Sequence, residues 1–480
     1  MNRSSRYVSN KDYNPPMPEL RTVESGDFIY IGGISPDARG SVAIETRSML
    51  EQLRSALGDA GSSLDGVVSV LVFIRAAADF QPMNEAYRAF WAKDFPTRTT
   101  IVCEIPTPGV MVEMSIVAVR NGVDRTVIHP HDWVASPSPY SYAVKTGDTV
   151  FLSGLVSRNG RDNSVVTGDV RDQTKVILDN AGELLRAAGL SHANVVSSRV
   201  YLTEAASFGA MNEAYRTYFP SSPPARATVL TGLAAPQYTV EMTFIASSSP
   251  RRSLMEGLPP NLNLPLSAAV VAGNRAYLSG ALGNDETNKG NAGAQARATL
   301  AKLGRTLAAA GASPADVGEA FVYVIDLKYV PDVDREYQAF FGSHRPSRTT
   351  IRSGLVAPDG LVEIMSSSPS ATFILRVRRA VSTIEASCAS LKWATGANGL
   401  TPHMCRKPRI NSPICRPSSS GRPAASAFQK GIFPGSPGAG ETRTRSCVIS
   451  SIRHVDAPSR NVSPTRLSNT ISSSSSPTRA

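Results

Sequence analysis

The sequence has few of the residues and segments on which several protein classes depend. Only five cysteines occur in 480 residues, too few for a scaffold held together by disulfides. No apolar run approaches the roughly 18–20 residues needed to cross a bilayer. Residues 1–20 are polar and lack the apolar stretch of a secretory signal. We therefore expect a cytoplasmic protein with no membrane partner.

Motifs for common cofactors and metals are also missing. The sequence contains no P-loop and no glycine-rich dinucleotide motif in a βαβ context. Its six histidines are too scattered to support a Ser-His-Asp set. His129 and His131 have no further ligand at suitable spacing, and Cys405 and Cys415 near His403 lack the CxxC spacing of a zinc site. The sequence therefore predicts neither a cofactor nor a metal.

The formal net charge of +11 belongs to one end of the chain. Residues 371–480 hold 16 of the 50 Lys and Arg but only three acidic residues, and residues 1–370 hold 34 basic and 36 acidic residues. Because this larger part is nearly neutral, the basic pI does not indicate that it binds nucleic acid. Two interpretations of the Ser-, Pro- and Arg-rich segment 369–480 stay open. It is a disordered basic arm, or an out-of-frame translation, since the strand pattern breaks off after Ile364.

The rest of the chain repeats itself three times. The first two copies carry, in order, the motifs G-D-x-x-[YF]-x-[SG]-G, M-N-E-A-Y, P-x-R-[TA]-T and V-E-M, and the third carries close variants. In each copy the arginine of the P-x-R-[TA]-T motif lies 11 residues after a tyrosine and 15 residues before a glutamate. These copies predict units at 20–120, 140–247 and 265–368, with linkers at 121–139 and 248–264.

The first copy shows what one unit contains. Apolar spacing and turn residues predict strands at 27–32 and 67–74, helices at 41–60 and 80–92, and strands at 99–105 and 110–119 joined as a hairpin. The order β-α-β-α-β-β predicts an α+β fold with both helices on one face of the sheet. The other face has to be covered, and packing of the three units against one another would do so.

Together these motifs resemble the RidA/YjgF family, also called the endoribonuclease L-PSP family, over about 24–119, 145–247 and 271–367. Members typically form homotrimers of a chorismate-mutase-like fold, with clefts between neighbouring subunits. The resemblance therefore implies a single-chain pseudo-trimer that could exist as a monomer. It also implies hydrolysis, without a cofactor, of reactive enamines and imines such as 2-aminoacrylate to a keto acid and ammonia. The expected ligand is a small imine, enamine or keto acid that carries a carboxylate.

The resemblance implies a role for each recurring charged residue. Arg98, Arg226 and Arg348 would hold the substrate carboxylate, because a guanidinium fork makes two charge-assisted hydrogen bonds. The alternative for each arginine is a surface ion pair of little energetic value, and the threefold recurrence favours the substrate role. The glutamates would move protons and position water. These catalytic candidates are Glu113, Glu241 and Glu363, and the further substrate-binding candidates are Tyr140, Ser153, Ser279, Gly33, Gly154 and Gly280.

Other motif positions differ between the units. The position of Ser153 holds Gly32 in the first unit, and the asparagine of M-N-E-A-Y becomes Asp334 in the third. The position of Tyr140 holds Glu19 and Leu266 in the other units. We therefore hypothesise that the three clefts are unequal. Two other functions stay open: a non-catalytic binding or sensor protein for small carboxylates, and a ribonuclease, for which the nearly neutral units offer no phosphate-binding surface.

Overall fold

The computed structural model describes residues 21–259 and 262–369, which form three consecutive units. Each unit is a mixed β-sheet with two α-helices. The first contains β1 (Thr22–Ser25), β2 (Phe28–Ile34), α1 (Val42–Asp59), β3 (Val67–Ile74), α2 (Phe80–Arg88), β4 (Thr97–Val102) and β5 (Val112–Val119). The second contains β6 (Thr126–Ile128), β7 (Ala143–Thr146), β8 (Thr149–Leu152), α3 (Val170–Ala187), β9 (Val195–Leu202), α4 (Phe208–Tyr218), β10 (Ala225–Leu230), β11 (Gly232–Leu233) and β12 (Val240–Ser247). The third contains β13 (Arg251–Leu254), β14 (Ala269–Ala272), β15 (Arg275–Leu278), β16 (Ala281–Leu282), α5 (Ala292–Ala310), β17 (Glu319–Val324), α6 (Val330–Phe341), β18 (Ser347–Arg352), β19 (Gly354–Leu355) and β20 (Val362–Pro369).

The expected α+β fold class is confirmed, and local signals explain its elements. Ser41 caps α1 by accepting a hydrogen bond from the Ile44 backbone N–H. On that helix Met49, Leu50 and Leu53 are fully buried at helical spacing. They pack with sheet residues of the first unit in one core cluster, and each of the other units has an equivalent cluster. The helices of each unit therefore cover one face of its sheet.

The expected hairpin at the end of the unit is wrong. In the first sheet the strand order is β1-β2-β5-β3-β4, so β4 and β5 lie on opposite sides of β3. Every residue of β3 is buried, and an apolar strand of this kind takes the centre of a sheet rather than its edge. Because α2 connects β3 to β4, the two strands run parallel. This makes β4 the outermost of the strands that the first unit contributes to the sheet.

Some strands that the sequence pattern does not predict lie at the beginning and end of the units. β1, β6 and β13 each add an antiparallel strand to the outer side of a sheet. Two of them come from the segments 121–139 and 248–264, which the sequence suggests are linkers. In the third unit β20 continues through Ser368 and Pro369, paired with β15. Strand pairing therefore continues past Ile364, although the apolar sequence pattern ends there. Residues 370–480 lie outside the described part of the chain.

The three units contact one another in a closed cycle. β11 of the second unit pairs with the edge strand β4 of the first, and β19 of the third pairs with the edge strand β10 of the second. The cycle closes where Arg352 donates its backbone N–H to the carbonyl of Glu104 at 3.0 Å. A central cluster, which includes Phe73, Tyr201 and Tyr323, takes residues from all three units. The sheet faces without helices therefore cover one another.

No helix within 21–259 or 262–369 is both long and apolar enough to pass through a membrane.

Candidate active clefts

The three recurring arginines occupy the second position of each edge strand β4, β10 and β18. Arg98 lies beside Val70 in the sheet, and Val70 belongs to the core under the helices. Arg98 therefore points to the helix side, where its guanidinium lies 5.1 Å from the Tyr87 ring centroid. Arg226 and Arg348 stack in the same way on the tyrosines 11 residues before them, at 4.8 and 4.9 Å. The constant tyrosine spacing therefore reflects one aromatic support for each arginine.

The recurring glutamates lie on the opposite face of their own sheets. Glu113 is paired with Phe73 of β3, which belongs to the central cluster rather than to the core under the helices. Because paired residues share a face, Glu113 points away from the helices, and Arg98 points towards them. The arginine and the glutamate of one unit therefore cannot form one site. The sequence leaves this point undecided.

Each arginine instead lies near the glutamate of the following unit, close enough for its charge to act on the carboxyl. The carboxyl of Glu241 accepts a hydrogen bond from the backbone N–H of Thr100, two residues beyond Arg98, and the charge of Arg98 acts on it. In the same way Arg226 acts on Glu363, and Arg348 acts on Glu113. We call these places the first cleft (Arg98 with Glu241), the second cleft (Arg226 with Glu363) and the third cleft (Arg348 with Glu113).

Two serines join the units at the first and second clefts. Ser153 Oγ accepts the backbone N–H of Arg98 at 2.9 Å and donates to the Ser141 carbonyl at 2.6 Å. Ser279 makes the equivalent bonds to Arg226 at 2.7 Å and to the Ser267 carbonyl at 2.5 Å. Both hydroxyl protons are therefore engaged with the backbone. In this structure the two serines position the arginines rather than offering a proton to a ligand.

The candidate glycines allow close contact across the same boundaries. A Cβ atom at Gly154 would lie 1.9 Å from Glu241 Oε1, and one at Gly280 would lie 1.8 Å from Glu363 Oε1. Their backbone N–H groups donate to the carbonyls of Arg98 and Arg226, both at 3.1 Å. Gly33 in the third cleft has φ of +61° and donates its N–H to Thr349 Oγ1 at 3.2 Å. Only glycine leaves room for each glutamate in the first two clefts.

The three glutamates are held as neutral acids near pH 7. Their exposed fractions are 4% for Glu113, 6% for Glu241 and 2% for Glu363. Burial disfavours the charged form and raises the pKa of each carboxyl to about 8, against the smaller opposing effect of the arginine charge. A neutral carboxyl beside a guanidinium can donate a proton and is then stabilised as the carboxylate.

The arginines of the first two clefts keep unused hydrogen-bond donors. Arg98 is 3% exposed and Arg226 is 2% exposed. Within the described ranges, Nη1 of Arg98 and both Nε and Nη1 of Arg226 have no hydrogen-bond partner. Burial lowers the pKa of Arg226 to about 10, so it still carries its charge at neutral pH. Buried charged donors without partners are rare in proteins, and a catalytic role or a bound ion is among the reasons that account for them.

The remaining candidates distinguish the clefts. The Tyr140 ring of the second unit lies 5.7 Å from the Arg98 guanidinium in the first cleft. The equivalent residue at the second cleft is Leu266, so that cleft lacks this tyrosine. Glu19 lies outside the described residues, as do His403, Cys405 and Cys415. Within the described ranges, no group of three or more His, Cys, Asp or Glu side chains is placed to hold a metal ion.

Sequence reasoning gave no role to the asparagine position of the second motif. Asn212 Oδ1 accepts a hydrogen bond from Arg226 Nη2 at 2.7 Å, whereas Asp334 forms an ion pair with Arg348 Nη1 at 2.8 Å. Both amide atoms of Asn84 are buried and lack a partner among the described residues. The signal that could have revealed this role is the constant distance of 14 residues to each arginine.

Comparison with known proteins agrees with the repeated architecture. A family model described as "Endoribonuclease L-PSP" matches three times, at residues 18–120, 132–248 and 259–367. A RutC family protein of Sulfurisphaera tokodaii is 38% identical over 109 residues, which are 23% of this chain and 87% of that protein. A 2-iminobutanoate/2-iminopropanoate deaminase of Mus musculus is 37% identical over 130 residues, 27% of this chain and 96% of that protein.

Among solved structures, a chorismatase is 15% identical and matches 73% of this chain and 100% of its own, with a TM-score of 0.46. The three family matches cover more than half of the sequence, and the two relatives match along most of their own length. This chain therefore belongs to the endoribonuclease L-PSP family, which is the RidA/YjgF family that its repeated motifs resemble.

Proposed function

We propose that the chain hydrolyses reactive imines and enamines that carry a carboxylate, such as 2-aminoacrylate, to a 2-keto acid and ammonia. The observation that carries this proposal is the pairing of an arginine that has unused buried donors with a neutral glutamic acid from the next unit, in the first and second clefts. The three units together would then act as an intramolecular pseudo-trimer.

In the proposed reaction the guanidinium of Arg98 or Arg226 binds the substrate carboxylate with two hydrogen bonds. The neutral carboxyl of Glu241 or Glu363 donates its proton to the imine nitrogen, or to the terminal carbon of an enamine. This makes the central carbon electrophilic. The carboxylate so formed accepts a proton from the attacking water and returns it to the nitrogen, which makes ammonia the leaving group. As ammonia departs, the carboxylate takes the proton of the new hydroxyl group, which leaves the keto acid and restores the neutral glutamic acid.

The deaminase named among the relatives supports this reaction class over a length of about one unit. The burial of Arg98, Arg226 and their glutamates adds a physical reason, because exclusion of bulk water strengthens the attraction between a guanidinium and a carboxylate. The position of each glutamate on the boundary between two units also gives a reason why one unit would need its neighbours.

The direct test is ammonia release from 2-aminoacrylate that a second enzyme generates in the assay. The wild-type chain should release ammonia faster than the uncatalysed reaction, and Arg98→Ala and Arg226→Ala should each remove part of this activity. Unchanged activity in both variants would contradict the arginine role. Tight binding of 2-keto acids without ammonia release would favour the binding-protein alternative.

A further inference from the structure

The third cleft differs from the other two in the charge that faces its arginine. In the second cleft the neutral amide of Asn212 contacts Arg226, so the guanidinium keeps its net positive charge. At the equivalent position the third cleft has Asp334, whose Oδ1 lies 2.8 Å from Arg348 Nη1. The chain itself therefore supplies a carboxylate to Arg348.

An internal carboxylate opposes a second one in two ways. It neutralises the charge that would attract a ligand, and its own charge repels the ligand carboxylate at short distance. Arg348 is also only partly buried, whereas Arg98 and Arg226 are buried. Contact with water weakens what attraction remains for a ligand.

The backbone around Arg348 is also held differently. Gly32 replaces the serine that fixes Arg98 and Arg226, and the nearest equivalent contact is the Gly33 N–H bond to Thr349 Oγ1. A Cβ at Gly32 would lie 2.7 Å from Ser347 Oγ, so a serine does not fit here without movement. The third cleft therefore keeps its glutamate but lacks both the serine and an arginine of net positive charge.

We propose that Asp334 occupies the carboxylate-binding arginine of the third cleft, so that the chain binds carboxylate ligands at two clefts and not at three. This inference rests on the proposed function, because it takes the arginines to be the carboxylate-binding groups. It makes Asp334 a residue that determines ligand selection through Arg348. An asparagine at this position would restore the neutral arrangement of the second cleft.

The test counts binding sites by calorimetric titration with 2-oxobutanoate. Wild-type protein should bind two molecules per chain. Asp334→Asn should bind three, because affinity at the third cleft should rise at least about tenfold when the like charge is removed. Asn already occupies the equivalent positions 84 and 212, so this variant is expected to fold.

Two matched variants make the count specific. Asn212→Asp places the same ion pair in the second cleft and should lower the number of bound molecules to one. The double variant Asp334→Asn with Arg348→Ala should bind two molecules, because the third cleft then lacks its arginine. Three equal sites in wild type, or two sites in Asp334→Asn, would overturn the inference. A count of two without ammonia release would overturn the proposed reaction but not the inference, and no binding by any variant would overturn both.

Discussion

At the scale of single residues, the central feature is a carboxyl that burial keeps protonated. The three glutamates have pKa values near 8 although each lies near an arginine, because desolvation outweighs the attraction. A group with this pKa is well matched to proton transfer near neutral pH. Arg226, whose pKa burial lowers to about 10, remains charged and can hold an anionic ligand under the same conditions.

This arrangement predicts how activity depends on pH. Since the proposed first step uses the acid form of Glu241 and Glu363, kcat/KM for ammonia release should fall as pH rises through about 8. The profile should be measured with the uncatalysed rate subtracted at each pH. Activity that stays constant up to about pH 10 would contradict proton donation by these groups.

The sequence reveals these residues by repetition but does not reveal their partners. Arg98 and Glu113 recur together at a fixed spacing of 15 residues, but this spacing does not show whether the two side chains share a face of the sheet. Strand register places them on opposite faces, and one residue of register reverses the face. Because register and strand order depend on contacts between distant segments, local pattern does not determine them.

At the scale of structural elements, the edge strands bring the clefts together. β4 and β10 carry Arg98 and Arg226 at the outer edge of their units. In each case the following unit pairs a short strand with this edge. The following unit also places a glycine next to its own glutamate. The hairpin expected from sequence is wrong because a fully buried β3 takes the place between β4 and β5. A Pro/Gly turn identifies a change in direction but not which strands pair.

The close approach at Gly154 leads to a prediction for this element. In Gly154→Ala the new methyl group would displace the Glu241 carboxyl, which is the flexible end of its side chain. We expect loss of the first cleft, about half of total ammonia release if the two sites act independently, with little change in stability. Gly209→Ala is the matched control, because no atom lies within 4 Å of its Cβ position. Equal activity in both variants would contradict the placement of Glu241.

At the scale of the whole molecule, fusion of the units permits asymmetry at the centre. Arg199 of β9 and Glu319 of β17 form a buried ion pair at 3.3 Å between the second and third units. Strand register shows which residues take these two positions in the other units. Leu71 and Phe321 correspond to Arg199, and Ser69 and Ser197 correspond to Glu319. Three identical subunits would repeat such a pair three times around the centre, whereas these unlike units carry charged residues at only one pair of the equivalent positions.

Breaking this pair should destabilise the molecule. Glu319→Gln leaves the Arg199 charge buried without its partner, and loss of one partner of a buried pair typically costs about 3–5 kcal/mol. The double variant Arg199→Met with Glu319→Gln should recover most of this loss, since no buried charge remains. Urea unfolding of the three proteins measures the effect. A loss below about 1 kcal/mol in the single variant would place the pair among weak surface ion pairs.

The threefold architecture can be predicted from sequence, whereas the differences between the clefts require the structure. Four ordered motifs identify the units because each encodes local backbone and packing needs. The substitution of Asp334 for asparagine is visible in the sequence, but its ion pair with Arg348 depends on the contact of α6 with β18. The effect of a single substitution therefore becomes clear only once its partner is known.

Two double variants test most directly whether each site combines residues of neighbouring units. Arg98→Ala with Glu241→Gln removes both groups of the first cleft, and Arg226→Ala with Glu241→Gln removes one group from each of the first and second clefts. With native-like unfolding of both confirmed, the first variant should keep about half of wild-type ammonia release and the second less than about a tenth. The reverse order would contradict the account, because it would place the arginine and glutamate of one unit in the same site.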